Sequence, residues 1–249
     1  ALDATEGAPT RVEKSAFIKA ITSAVKFGHF DVELGQQQGQ FNGLKADDLS
    51  DMVNDVLTLQ DSKLWTGAAT DLTVNSNLEY VGLLNQITQT GDIAANVDIA
   101  TAVRAEVARL QAKTDYDVRP SVVVMNPMTA NLFEEEEAKK DTKVYEVEAL
   151  AGIKVRGIMT CMGVLPVIAD PFLPLDTATT AGSTIHKIAI LSENLLYRFY
   201  VGSPNVRVFE FGMDAYSLNG KYMALQYDTI VAKGASYAHT ILKKTVPTA

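Results

Sequence analysis

LKADDLSDMVNDVLTLQDSKLW, residues 44–65, carries apolar side chains at helical spacing: Leu49, Met52, Val53, Val56, Leu57, Leu59 and Leu64. Ser50, Asp51, Asn54, Asp55, Thr58, Asp61 and Ser62 fall on the opposite side, and Gln60 and Lys63 intrude on the apolar one. No Gly or Pro interrupts the stretch, and Gly43 and Gly67 bracket it. The reading is one helix, about 30 Å long. Its stripe is too broad for a two-stranded coiled-coil seam, so it should lie along an apolar bed for its whole length, on strands from the C-terminal third. Asp47 and Asp48 belong to its first turn, where acidic side chains are favourable.

Upstream, residues 1–12 read as a polar, extended arm. Residues 13–30 hold Phe17, Ile18, Ile21, Val25 and Phe27 among lysines and fit a short helix. Residues 31–42 run into GQQQGQFNG, which builds no core and reads as a flexible loop or the end of a projecting element. Downstream, a polar link leads to the apolar patch YVGLLNQI, residues 80–87. Asn96 or Asp98 can cap a helix over 99–113. SVVVM, 121–125, is continuous and β-branched, as a buried central strand is. Asn126 and Pro127 then open a helix to about residue 140, burying Leu132 and Phe133 and exposing Glu134, Glu135, Glu136 and Glu137. Strands follow at 153–158, 164–169, 187–191, 195–201, 206–211, 221–233 and 237–246. The class is α+β, with no strict βαβ repeat.

At 249 residues with 47% apolar content, the chain can bury a substantial core. Thirty acidic against 22 basic residues give a formal charge of -8, which argues against a groove that grips phosphate backbones. No stretch reaches transmembrane length, and no signal-peptide pattern opens the chain at Ala1. The single cysteine, Cys161, excludes an intrachain disulfide framework. It reads as a small apolar filler rather than a nucleophile. His29, His186 and His239 are scattered without metal-ligand spacing. No GxGxxG, GxxxxGK[ST] or GxSxG pattern occurs. Four adjacent carboxylates at 134–137 point to different faces of a helix and read as a solvated or subunit-facing turn, with Lys139, Lys140 and Lys143 close by. Catalytic, metal and cofactor-binding residues are therefore all expected to be absent.

Six segments, in order, resemble the major capsid proteins of tailed bacteriophages with the HK97-like fold. They are the long helix ending in KLWTG, YVGLLN, RPSVVVMNPMTANLF, AGIKVRGIMTCMGVLPVIADPFLP, KIAILSENLLYRFYV and YMALQYDTIVAKGASYAHTILK. The resemblance implies a structural subunit that self-assembles into an icosahedral shell around viral DNA. Copies would form pentamers and hexamers, with scaffold, protease and portal proteins as further partners, packaged DNA held without sequence-specific binding, and no membrane. The location implied is the virion, assembled in the host cytoplasm. It also implies an N-terminal arm and extended loop at 1–42, a peripheral domain at 43–95 that contains the spine helix and closes with 211–249, and an axial domain at 96–210. Variation between five- and six-fold positions would fall in the loops at 35–43 and 170–185. The alternatives are a shell of the encapsulin kind around protein cargo, and an uncharacterised soluble enzyme.

Overall fold

The computed structural model describes residues 15–37, 39, 41–67, 81–113, 117–140, 145–150, 153–178, 182–212 and 219–247. The N-terminal part holds strand β1 (Lys19–Gly28), helix α1 (His29–Gln37) and the long helix α2 (Phe41–Thr66). The middle holds α3 (Leu83–Gln86), β2 (Thr90–Ile93), α4 (Ile99–Gln111), β3 (Val122–Met125) and α5 (Pro127–Ala138). Strands β4 (Tyr145–Leu150), β5 (Ile153–Thr160), β6 (Gly163–Ala169), β7 (Asp176–Thr177) and β8 (Ser183–Leu191) follow. After a 3₁₀ turn at Glu193–Leu195 come β9 (Leu196–Tyr200), β10 (Arg207–Phe211), β11 (Asn219–Ala232) and β12 (Thr240–Pro247). The expected arm at 1–12 and most of the link after α2 lie outside the described residues.

The strands form two sheets. An eight-stranded sheet runs β2-β12-β8-β3-β6-β5-β4, with β7 on β8. The β2–β12 and β3–β6 pairs are parallel and the others antiparallel. Both faces of its centre are covered, which explains the unbroken apolar runs of β3 and β8. Ile188 and Ile190 of β8 join Val103, Val107 and Leu110 of α4 and Phe133 of α5 in one core. Ala189 and Leu191 point the other way, into a second core with Trp65 of α2, Leu83 of α3 and Ile230 of β11. The four-stranded sheet is antiparallel: β11 pairs with β1 on one side, and with β10 and then β9 along its length.

Helix α2 joins the two sheets. Met52 and Val56 pack with Ile21 of β1 and Ala224 of β11 in a third core, while Trp65 enters the second. Its buried line is narrower than the sequence stripe. Leu57 and Leu59 are exposed, and Gln60, the intruder, is buried. Gln60 earns that place by donating to Asp228 of β11 at 2.5 Å. Nearby, buried Gln86 donates to the carbonyls of Val81 and Ile230 and accepts from Ala232 N–H, so α3 is tied to β11 by a satisfied amide. Gly82 permits the approach of α3 to α2, since a Cβ there would meet the Trp65 backbone.

Several expectations are corrected. Residues 19–28 are a strand, not a helix; Ile21 and Val25 are spaced four apart, which suits period 2 as well as period 3.6. Residues 31–37, expected as a loop, belong to helix α1, and Gly43 lies inside α2 rather than before it. Asp98 sits at the N-cap of α4 without capping it; its carboxylate goes to Lys140. Glu136 of α5 takes its place, accepting from Ile99 N–H at 2.8 Å. Asn126 does cap α5, accepting from Met128 N–H at 3.0 Å.

Candidate functional site

Among the described residues, no three His, Cys, Asp or Glu side chains are placed to hold a metal ion, and no helix is long and apolar enough to cross a membrane. The side chain of His29 lies outside the described set. His239 is fully buried between chain segments: its Nδ1 accepts from Ser192 N–H at 3.2 Å and its Nε2–H donates to the Lys233 carbonyl at 3.2 Å. His186 Nδ1 meets Thr129 Oγ1 at 2.9 Å, 57 residues away on α5. Burial holds both imidazoles below the ordinary histidine pKa, aided at His186 by the Lys244 ammonium. Neither ring approaches the other candidates.

Cys161 is exposed, not a core filler. It occupies the two-residue hairpin tip between β5 and β6, where Gly163 takes φ +101°. The acidic run also divides. Glu136 is mostly buried and bonded to Lys244, which also donates to the Val97 carbonyl at 2.9 Å. Glu134 pairs with Arg156 at 3.3 Å, and Glu135 faces solvent. Glu136 is thus a structural tie between α4, α5 and β12, missed because the sequence alone could not show which of four glutamates turns inward.

The distinctive surface is the face of the four-stranded sheet away from α2. Directly paired residues share a face. Since Ala224 packs under α2, the odd residues of β11 stand on the far side. With them, by register, stand Tyr197 and Phe199 of β9, Phe209 and Phe211 of β10, and Ala20, Thr22, Ala24 and Lys26 of β1. Phe199 is 49% exposed, Phe211 46% and Tyr197 41%; Tyr197 and Phe199 stack with centroids 6.3 Å apart. The charges here are Lys26, Lys221 and Arg207, with no carboxylate on this face of the four strands. Lys26 and Lys221 are directly opposite each other, an unfavourable pairing. Among the described residues, the outer edge formed by β9 and β10 has no further strand on it. At the far end of β1, α1 raises Phe30 into solvent at 73% exposure.

No protein-family model matches the sequence, and no curated protein shows significant similarity to it. Solved structures do match in shape. The holo-SrpI encapsulin complex of Synechococcus elongatus PCC 7942 superposes with a TM-score of 0.59 at 16% identity, covering 90% of this chain and 73% of that one. The fold is the HK97-like capsid fold. The head of Helicobacter pylori bacteriophage KHP40 matches with a TM-score of 0.57 at 11% identity, over 92% of this chain and 74% of that one. The capsid of Myoviridae phage XM1 matches at 0.54 and 9% identity, over 91% and 73%. The HK97-like fold is therefore shared at 9–16% sequence identity. The α+β class and the ordered segments of the sequence reading agree with it.

Proposed function

We propose that this chain is the structural subunit of a closed icosahedral shell that encloses viral DNA, and that it is not an enzyme. The observation that carries the reading is a partly exposed aromatic face, without a carboxylate among its described strand residues, on a fold shared with phage capsid and encapsulin structures. In an isolated subunit that face leaves five aromatic rings, Tyr197, Phe199, Phe209, Phe211 and Tyr227, partly exposed and two lysines opposed. A neighbouring copy of a chain with net charge -8 relieves both. Many such modest contacts, repeated round a shell, are collectively strong.

In this proposal α2 is the spine helix. The peripheral and axial division of 43–95 with 211–249 against 96–210 carries over with its seams moved: β1, β9 and β10 go with the peripheral sheet, and β2 and β12 with the axial one. The segment up to residue 42 reaches a neighbour, α1 and its Phe30 leading. Pentamers and hexamers form the vertices and faces; scaffold, protease and portal proteins act during assembly in the host cytoplasm; and DNA is packaged without sequence-specific contacts inside the virion.

A shell of the encapsulin kind is the second reading, favoured by the match to the holo-SrpI encapsulin complex. Electron microscopy of the expressed protein tests both. Uniform closed particles with five- and six-fold environments are expected. A co-purified protein inside them would transfer the assignment to the cargo shell. A monodisperse monomer that turns over a small molecule would end both.

A further inference from the structure

Among the described residues, three buried side-chain oxygens lack a hydrogen-bond partner: Gln226 Oε1, Asp228 Oδ1 and Thr229 Oγ1. Gln226 and Asp228 are two residues apart on β11, so both stand on the face that α2 covers, whereas Thr229 stands on the other. Asp228 is fully buried and Gln226 is 2% exposed. The donors around Asp228 crowd one oxygen. Gln60 Nε2 donates to Oδ2 at 2.5 Å, and Arg198 Nε and Nη2 donate to the same atom at 3.0 and 2.9 Å. Oδ1 receives nothing. Gln226 Nε2 is already used, donating to the Pro204 carbonyl at 3.0 Å, so its amide oxygen is left as an acceptor in want of a donor.

An ionised carboxylate carries charge on both oxygens, and one of them kept dry and bare is costly. A protonated carboxyl has one hydroxyl to donate. We propose that Asp228 is held as the neutral acid, its Oδ1 hydroxyl donating to Gln226 Oε1, so that α2 is seated on β11 over a carboxylic acid–amide hydrogen bond. One proton taken from solvent satisfies both orphan acceptors, while Oδ2 keeps its three donors. The surroundings divide as follows. Burial disfavours the ion and is the largest influence; the Arg198 guanidinium and the Gln60 amide favour it and pull partly back, leaving the carboxyl above its ordinary value. Lys19 of β1 and Tyr200 of β9 are the register partners of Asp228. Asp61, the next residue after Gln60 on α2, is pushed up by burial and by the Asp170 carboxylate and drawn back down by the Arg198 guanidinium. Arg198 is 39% exposed, so water screens it.

Infrared difference spectra of the full-length protein against Asp228→Asn, taken across pH, test this. The carbonyl stretch of a protonated carboxyl is expected to persist at least one pH unit above the ordinary aspartate midpoint of about 3.9. In Gln226→Met, which keeps the bulk and removes the acceptor, that band should vanish at least one unit lower. The Gln226→Met shift also identifies the band should Asp228→Asn not fold, with aspartate carboxyls labelled by ¹³C. A band lost at or below the ordinary midpoint, or an equal midpoint in the Gln226→Met protein, overturns the proposal.

Discussion

The indole N–H of Trp65 donates to Asp170 Oδ2 at 2.6 Å, across 105 residues of chain. The other oxygen of Asp170 accepts from Phe172 N–H at 2.8 Å. One carboxylate thus fastens the last turn of α2 to the turn after β6 and so joins the long helix to the large sheet. Trp65→Phe keeps most of the buried ring area and removes the donor. It should cost about 1–3 kcal/mol in denaturant unfolding of the subunit. Trp65 is the chain's one tryptophan and is 2% exposed, so native emission should be blue-shifted and move red in the same transition. A native emission maximum typical of water would place the ring outside.

Val56 is fully buried while Leu57, the next residue, is 43% exposed. Val56→Asp puts an unpaired carboxylate into the core with Met52, Ile21 and Ala224 and should cost more than about 3 kcal/mol. Leu57→Asp should stay within about 0.5 kcal/mol. Comparable urea midpoints for the two variants would mean that the helix is rotated from the position described.

That rotation shows what the sequence could and could not display. A helix over residues 44–65 was legible because no breaker competes with its period. The identity of its buried line was not, because apolarity ranks Leu57 and Leu59 above Gln60, while burial follows what lies opposite: the Asp228 carboxyl group. The same holds for β1. Ile21 and Val25 satisfy two periods at once, and only pairing with β11, some 200 positions later, selects the strand. Helix α4, β3, α5 and β8 were legible, since each has a strong local signal. Cys161 misled through the general tendency of cysteine to be buried, against its place in a two-residue turn. The aromatic face was in view as strands, but its one-sidedness emerges only with the register.

Glu136 and Lys244 have side chains 13% and 7% exposed. Glu136→Gln weakens the hold on a buried ammonium and on the first N–H of α4, and should cost about 3 kcal/mol. Glu135→Gln, on the exposed side of the same helix, should cost nothing measurable. Thermal or denaturant unfolding of the pair separates them; equal stabilities would show that the acidic run acts only as a surface.

His239 gives stability a pH dependence of definite sign. Its folded pKa is depressed below the unfolded value of about 6.5, so the unfolded state binds more protons between the two values. Stability from this group is complete above the unfolded pKa and declines as pH falls toward the folded one. Protonation would turn Nδ1 from acceptor to donor against Ser192 N–H. His239→Gln can keep both hydrogen bonds without titrating. It should flatten the loss of unfolding free energy between pH 7 and 5, and an unchanged slope would assign that loss elsewhere.

The uncovered sheet face allows subunit stability and assembly to be pulled apart. Phe209 is 40% exposed, opposite Met223 on that face. Phe209 belongs to none of the three cores, so Phe209→Glu should leave the subunit unfolding within about 0.5 kcal/mol of the parent. If the face meets a neighbour, the buried charge should abolish closed particles. Lys221→Glu gives a sharper contrast. Within one subunit it converts the Lys26–Lys221 opposition into an attractive pair, worth a few tenths of a kcal/mol toward stability. Between subunits it repels the acidic neighbour that the basic face fits, so particle yield should fall while the subunit becomes more stable. Sedimentation and electron microscopy read the assembly, and denaturant unfolding reads the subunit. Particles at full yield in both variants would remove this face from the shell contacts and with it the main physical support for the proposed function.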